Sequence, residues 1–420
     1  MDTEINKFDR PAKPTKKKTI IISTSLALLL VLSLLIYLKI KYPTASLFTS
    51  ITYIVGAAIH PHKNMTKQTV GFLPYWRMDD IKYVKFDLLS EVIFFSLTAD
   101  ENGNIVKIVG NETNPGWRWW KSQTVKNLIA KTQISGGKFS LAVAMQKNAT
   151  LESFLDNQTA QKNLISNLLE LVKVSHLDGI NLDFEYGGEL SDESLRDKFT
   201  QFATSFTSEF RSSSPSTELS IDLYPLAIQK PRLFDVATLA PLFDKIIVMS
   251  YDYYGTSSEV AGPVAPMGGY SENKYYFDVS TTYSDYLKIV PKEKIIMGIP
   301  YYAWDYPVEE ADQPMSKVLP QNDENGYPAI MSYGRMRDNT DIKQENCQWD
   351  DLAKENWCFY QDASTGKFHQ IWVEDNKSIE TKFDFAKNNG LGGIAIWTLG
   401  YDKAYPDLWE MLIKKFSVAK

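Results

Sequence analysis

Between Asp178 and Glu185 the chain reads Asp-Gly-Ile-Asn-Leu-Asp-Phe-Glu, with polar and apolar side chains in alternation. In a strand, residues two apart share a face, so Asn181, Asp183 and Glu185 stand on one side and Ile180, Leu182 and Phe184 on the other. The apolar face can pack on helices. The opposite face then crowds two carboxylates and an amide away from water, where burial and like charge raise carboxyl pKa values. A carboxyl that stays protonated near neutral pH can act as a general acid, so hydrolysis is the chemistry this row can perform. The competing reading is a carboxylate network that only braces the fold, which needs a partner for each buried charge. Four histidines and two cysteines are too few for a His-rich metal enzyme or a disulfide-built miniprotein. No metal or organic cofactor is expected.

The elements that must hold this row are legible as eight short apolar runs: Val70 to Tyr75, Val92 to Leu97, Phe139 to Ala144, Gly179 to Glu185, Leu219 to Leu223, Ile246 to Ser250, Ile295 to Ile299, and Gly393 to Trp397. Helical stretches separate them; Leu195, Phe199, Phe202, Phe206 and Phe210, three or four apart, make one helical face able to cover a sheet. The pattern predicts an α/β fold, a (β/α)8 TIM barrel over residues 69–420, with Glu185 at the C-terminal end of its strand, where barrel active sites are built. A doubly wound sheet is the alternative, but Gly71-Phe-Leu-Pro-Tyr-Trp76 carries no Gly-rich nucleotide fingerprint. Residues 302–377, between strands seven and eight, are too long for a simple connection and read as an insertion subdomain. They hold both cysteines, Cys347 and Cys358, which are as open to pairing as to staying reduced.

Residues 19–38 carry no charge, and a helix of that length spans a bilayer core. Lys7, Arg10, Lys13, Lys16, Lys17 and Lys18 flank it on the N-terminal side. The positive-inside rule therefore predicts a cytoplasmic tail at 1–18, a transmembrane anchor at 19–38, a tether at 39–68 and an extracytoplasmic catalytic domain. A cleaved signal peptide is the rival, but the apolar core is too long and no A-x-A-like site follows it directly. His60 and His62 fall in the tether without a nearby third ligand and are assigned no role. With 45 basic against 51 acidic residues, a net charge of -6, nothing gathers nucleic acid.

Asp178, Asp183 and Glu185 resemble three of the four acidic positions of the Asp-x-x-Asp-x-Asp-x-Glu strand of the family 18 glycoside hydrolases. Further matches follow in order: Met249-Ser-Tyr-Asp252, Gly262-Pro-Val-Ala-Pro266, Met297-Gly-Ile-Pro-Tyr301, and Gly392-Gly-Ile-Ala-Ile-Trp397. The resemblance implies a retaining hydrolase of β-1,4-linked N-acetylglucosamine glycans, in which the substrate's own acetamido oxygen attacks the anomeric carbon. Glu185 would be the general acid. Asp183 would accept the acetamido N–H, Tyr251 would hold the acetamido oxygen, and Asp252 would contact the sugar, with Trp397 under its ring. Met249 and Tyr75 are further candidate sugar contacts. Family members that lose the Glu become lectins, so a catalytically silent sugar-binding barrel is the rival function; the presence of Glu185 argues against it.

Two departures qualify the match. Asn181 replaces the second Asp, and the third strand reads Ala142-Val-Ala-Met145 where many members have Ser-x-Gly-Gly. Asn181 is expected to donate to Asp183. Asn here resembles the branch containing spore peptidoglycan N-acetylglucosaminidases and chitobiases, which weakens polymeric chitin as the substrate. Trp117, Trp119 and Trp120 are equally readable as sugar-stacking platforms or loop anchors. Asp100 to Asn104 has a faint calcium-loop flavour but reads more simply as a turn around Asn102-Gly103.

Overall fold

The computed structural model describes residues 16–43, 46–59, 61–188, 193–310 and 312–418, with side chains from residue 28 onward. Eight parallel strands close into a barrel: Gln68–Pro74, Glu91–Thr98, Lys138–Met145, Gly179–Phe184, Glu218–Leu223, Lys245–Val248, Ile295–Pro300 and Gly393–Trp397. Each pairs with the next in sequence and the eighth with the first. All eight predicted runs are therefore barrel strands. Two apolar layers result. Outward-facing side chains meet the helices in one large core, to which helix Glu193–Ser213 contributes Leu195, Phe199, Phe202, Phe206 and Phe210, all buried as their spacing predicts. Inside the barrel, Val70, Phe72, Ile93, Phe95, Ala142, Ile247, Ile296 and Ala395 form a smaller cluster that shares the interior with polar groups.

Register explains the alanines of the third strand. Ala142 pairs with Asn181 and Ala144 with Asp183, so methyl groups stand beside the polar row and leave it room. Helix Gln158–Ser175 before the carboxylate strand is capped by Asn157, whose side chain accepts from the Thr159 and Ala160 N–H groups, and it stops at His176 in the left-handed conformation. The chain then enters the strand, where Asp178 accepts from the Phe139 N–H at 2.8 Å and from Gln133 at 2.9 Å. This first acid of the motif is a brace at the strand's N-terminal end.

The insertion folds as a five-stranded antiparallel sheet in the order Ala329–Ser332, Tyr302–Pro307, Phe368–Val373, Glu355–Gln361, Cys347–Asp350. Cys347 and Cys358 face each other across the last two strands and form a disulfide. Lys382, on helix Asn376–Asn388, ties the sheet to the barrel: it meets Glu374 at 2.7 Å and Glu355 at 3.5 Å, all fully buried, and Glu355 accepts from the Ala265 N–H.

The N-terminal segment differs from the expected tether. Helix Lys16–Lys41 runs through the predicted anchor, and a second helix, Leu47–Ile59, occupies what reads as a linker. Leu38 and Tyr42 pack with Ala130, joined by Ile54 and Ile134, which docks both helices on barrel helix Gln123–Ile134. The physical reason is the uncharged run Leu-Phe-Thr-Ser-Ile-Thr-Tyr-Ile-Val-Gly-Ala-Ala-Ile, which can bury one face. Among the described residues no helix is long and apolar enough to cross a membrane. Residues 1–15 and His60 lie outside those residues, as do the side chains of the predicted anchor up to residue 27. His62 packs beside Gly136 at the foot of the barrel.

Candidate active site

At the C-terminal ends of the strands the barrel opens into a cavity of about 910 Å³, large for a small-molecule site and sufficient for several sugar rings. Asp183 and Glu185 line it, with Asp222, Tyr251, Asp252, Met249, Tyr75 and Trp397. The cavity therefore collects the sequence candidates from the first, fourth, sixth and eighth strands, except Asn181, which lies beneath it.

Glu185 follows directly after the fourth strand, its N–H bonded to the Met145 carbonyl at 3.0 Å. Its carboxyl and that of Asp183 share one donor. The Gln146 amide nitrogen lies 2.6 Å from Glu185 Oε1 and 3.2 Å from Asp183 Oδ2. Burial pushes the Glu185 pKa up, against the Gln146 hydrogen bond, and the Asp252 charge adds to the rise. Burial also drives Asp183 well above the ordinary carboxylate range, reinforced by Glu185 and Asp222. No cation pairs with either carboxyl among the described residues. That is the condition under which a carboxyl keeps its proton for transfer.

Asn181 behaves otherwise than expected. Its amide nitrogen donates to Asp222 Oδ1 at 2.8 Å and to Ser220 Oγ at 3.1 Å, not to Asp183. The neighbour is set by register: Asn181 pairs with Ser220 on the fifth strand, which carries Asp222 two residues on, one layer higher. Asp222, buried and raised well above the usual range first by burial and then by nearby acids, is a site residue that sequence reasoning missed. Its signal was the alternation in Leu219-Ser-Ile-Asp-Leu223, which places Ser220 and Asp222 on the inward face.

Tyr251 is half-buried and its ring lies 6.5 Å from that of Trp397, at 23° between planes. Gly298 makes room for it: a Cβ there would come within 2.9 Å of the Tyr251 ring and 2.6 Å of the Val248 carbonyl. Asp252 adopts φ of 56° and accepts from the Tyr302 hydroxyl at 2.6 Å and the Trp304 indole at 2.8 Å. The insertion thus reaches back to orient a barrel carboxylate. Trp397 closes the floor edge-on to Phe95 at 4.7 Å and Phe72 at 5.5 Å. Tyr75 stands on the wall with Trp76, which is about half exposed and was not singled out from the sequence. Trp117, Trp119 and Trp120 do not reach the cavity. They lie on the short helix Pro115–Trp120 with Trp120 buried and the other two packed on the core, which makes them loop anchors. Asp100 closes a turn by accepting from the Asn102 and Asn104 N–H groups, with Gly103 at φ 74°. Among the described residues no group of histidine, cysteine or carboxylate side chains is arranged to hold a metal ion.

A profile of the glycosyl hydrolases family 18 matches residues 68–402, the whole barrel and its insertion. The chain belongs to that family. It is a glycoside hydrolase. It is 26% identical to the di-N-acetylchitobiase of Rattus norvegicus over 307 residues, covering 69% of this chain and 79% of the relative. It is 27% identical to the cortical fragment-lytic enzyme of Bacillus subtilis (strain 168) over 340 residues, covering 78% and 68%. The fold is shared with a Group IV chitinase of Ostrinia furnacalis, at a TM-score of 0.70 and 17% identity over 83% of this chain and 98% of that one.

Proposed function

We propose that this family 18 hydrolase cleaves β-1,4 linkages next to N-acetylglucosamine, in chitin-like oligosaccharides or peptidoglycan strands, with retention and with the substrate's acetamido group as nucleophile. The observation that carries this is the pair Glu185 and Asp183: two carboxyls that meet no cation among the described residues, joined through Gln146, beside Tyr251 and Trp397 in one cavity. The raised Glu185 carboxyl gives its proton to the glycosidic oxygen as the bond to the anomeric carbon breaks. The acetamido oxygen bonds to that carbon from the other face, forming a cationic oxazolinium ring. Asp183 takes the hydrogen bond from the ring N–H and offsets its charge, Tyr251 holds the acetamido oxygen, and Trp397 supports the sugar. Glu185, now ionised, then takes a proton from the water that opens the ring. The di-N-acetylchitobiase and cortical fragment-lytic relatives support an N-acetylated glycan as substrate.

A stable thiazoline analogue of the oxazolinium tests the mechanism, because a site built for a charged intermediate binds its mimic tightly. It should inhibit hydrolysis of an activated N-acetylglucosaminide competitively, and more weakly in Asp183→Ala than in the parent. Equal inhibition would remove Asp183 from the role, and sugar binding without any turnover would favour the lectin reading.

The enzyme is further proposed to be membrane-anchored through residues 19–38, with the catalytic domain extracytoplasmic. The uncharged run, its basic N-terminal flank and the helical backbone of Lys16–Lys41 support this. A reporter enzyme fused after Lys420 should be active outside the cytoplasm; a cytoplasmic readout would refute the topology.

A further inference from the structure

The carboxyls of the cavity account for hydrolysis but not for its choice of glycan. The segment after the fifth strand brings two cations to the same cavity, Lys230 and Arg232. It is pinned at both ends, since Ala227, Leu233 and Phe234 are buried and Phe234 packs on Tyr224 at 5.5 Å between ring centres. Tyr224 lines the cavity within electrostatic reach of both Arg232 and Glu185. Its hydroxyl, pushed up foremost by burial and next by Glu185, is pulled back by the Arg232 guanidinium. Lys230 lies over the half-exposed ring of Tyr276 at 5.8 Å. Arg232 itself is half-buried and meets no carboxylate among the described residues. The other half-buried arginines do: Arg77 pairs with Asp80 at 2.6 Å and Arg196 with Glu193 at 3.7 Å, while Arg118 and Arg335 are exposed to water. A half-buried guanidinium that meets no carboxylate among the described residues and lines a substrate cavity has the chemistry to receive an anionic group of the substrate. A glycan built only of N-acetylglucosamine is neutral and offers it nothing.

We infer that Arg232, assisted by Lys230, is a carboxylate-recognition subsite, and that the preferred substrate is an N-acetylated glycan bearing carboxylates close to the cleaved bond. Peptidoglycan supplies such carboxylates from two alternative sources, the free lactyl group of a muramoyl sugar without a stem peptide, or the carboxylates of the stem peptide where one is amide-linked to that lactyl group. This deepens the proposed function and rests on its placement of the substrate in this cavity. Planar guanidinium geometry suits a carboxylate bidentately, so lysine at 232 should restore only part of the preference.

The test uses the full-length chain carrying Glu185→Gln, whose slowed turnover leaves time to measure binding, and calorimetry on four ligands. These are a chitin tetramer, an alternating N-acetylglucosaminyl-N-acetylmuramoyl tetramer with free lactyl carboxylates, its methyl ester, and a tetramer substituted with stem peptide. The free acid should bind more tightly than the chitin tetramer and the ester. Adding R232Q should cut the ratio of carboxylated to neutral affinity by about 10- to 100-fold, the range for a hydrogen bond to a charged group, with R232K intermediate. Dependence on Arg232 confined to the peptide-bearing ligand would assign the carboxylate to the peptide; dependence with the bare strand would assign it to the lactyl group. A carboxylated-to-neutral ratio unchanged by R232Q for both the free acid and the peptide-bearing tetramer, or neither of these bound more tightly than the chitin tetramer, overturns the inference. Turnover in the parent separates the two claims. Absence of turnover with the ratio intact breaks the hydrolase mechanism alone, whereas turnover with a flat ratio breaks this subsite alone.

Discussion

The two ends of the barrel interior hold carboxylates in opposite states. At the foot, Glu91 and Glu218 flank Lys245, with Lys245 to Glu218 at 2.9 Å, Lys138 reaching Glu218 at 2.7 Å, and Ser140 donating to Glu91. Burial there is almost complete, with about 3% of Lys245 and 2% of Glu91 exposed. Burial alone would lower the Lys245 pKa, yet Glu91 and Glu218 hold it above the usual lysine value; burial would raise Glu218, yet Lys245 and Lys138 bring it below the usual Glu value. At the mouth, Asp183 and Asp222 are buried and Glu185 is half-buried, none pairs with a cation among the described residues, and all three are raised. One fold, with one kind of interior, makes carboxylates structural by adding a lysine and chemical by withholding it.

The signs of pH-dependent stability follow. Glu218 stabilises the fold above the usual Glu value, a contribution lost as pH falls through its lowered pKa. Lys245 contributes below the usual lysine value, and that contribution is lost as pH rises through its raised pKa. Asp183 and Asp222 act in the other sense from the foot acids. Their raised pKa values favour the folded state when protonated, so stability declines as pH climbs from the usual carboxylate range towards neutrality.

The largest way to break the comparison is to take the proton from the mouth. Glu185→Gln should lower kcat by roughly 10²- to 10⁴-fold while unfolding in urea at nearly the same midpoint as the parent. Parental turnover with normal binding would mean that Glu185 is not the acid. At the foot the same logic applies to stability. Lys245→Met leaves the buried Glu91 without its cation and Glu218 with Lys138 alone, and should cost about 3–5 kcal/mol, against no more than about 1 kcal/mol for the solvent-exposed Lys138→Ala, both by urea denaturation. Equal costs would show that the inner pair is no stronger than the outer one.

The smallest effect sharpens the account of the mouth. Asp252→Asn keeps an oxygen for Tyr302 and Trp304 but removes a charge that raises Glu185. The basic limb of the kcat/KM profile, where the acid loses its proton, should therefore move to lower pH. A limb that stays in place would assign it to another group.

Much of this was decided locally. The alternation of Asp178 to Glu185 and the eight apolar runs settle which residues form strands and which side of the fourth strand carries acid, because side-chain direction in a strand depends only on position. The five aromatic and aliphatic positions of helix Glu193–Ser213 follow likewise from a period of 3.6. Which groups meet across the barrel was not local. Asn181 faces Asp222 rather than Asp183 because strand register, not sequence distance, sets its neighbour. Gln146 spans two acids, Trp304 returns from the insertion to Asp252, and Arg232 meets among the described residues no carboxylate such as the other half-buried arginines have. The sequence by itself determined the inventory of chemical groups and the strand each belongs to. Only barrel closure decided which carboxylates received a lysine and which had their pKa values raised, since hydrogen bonds, burial and pKa depend on distances between residues far apart in the chain.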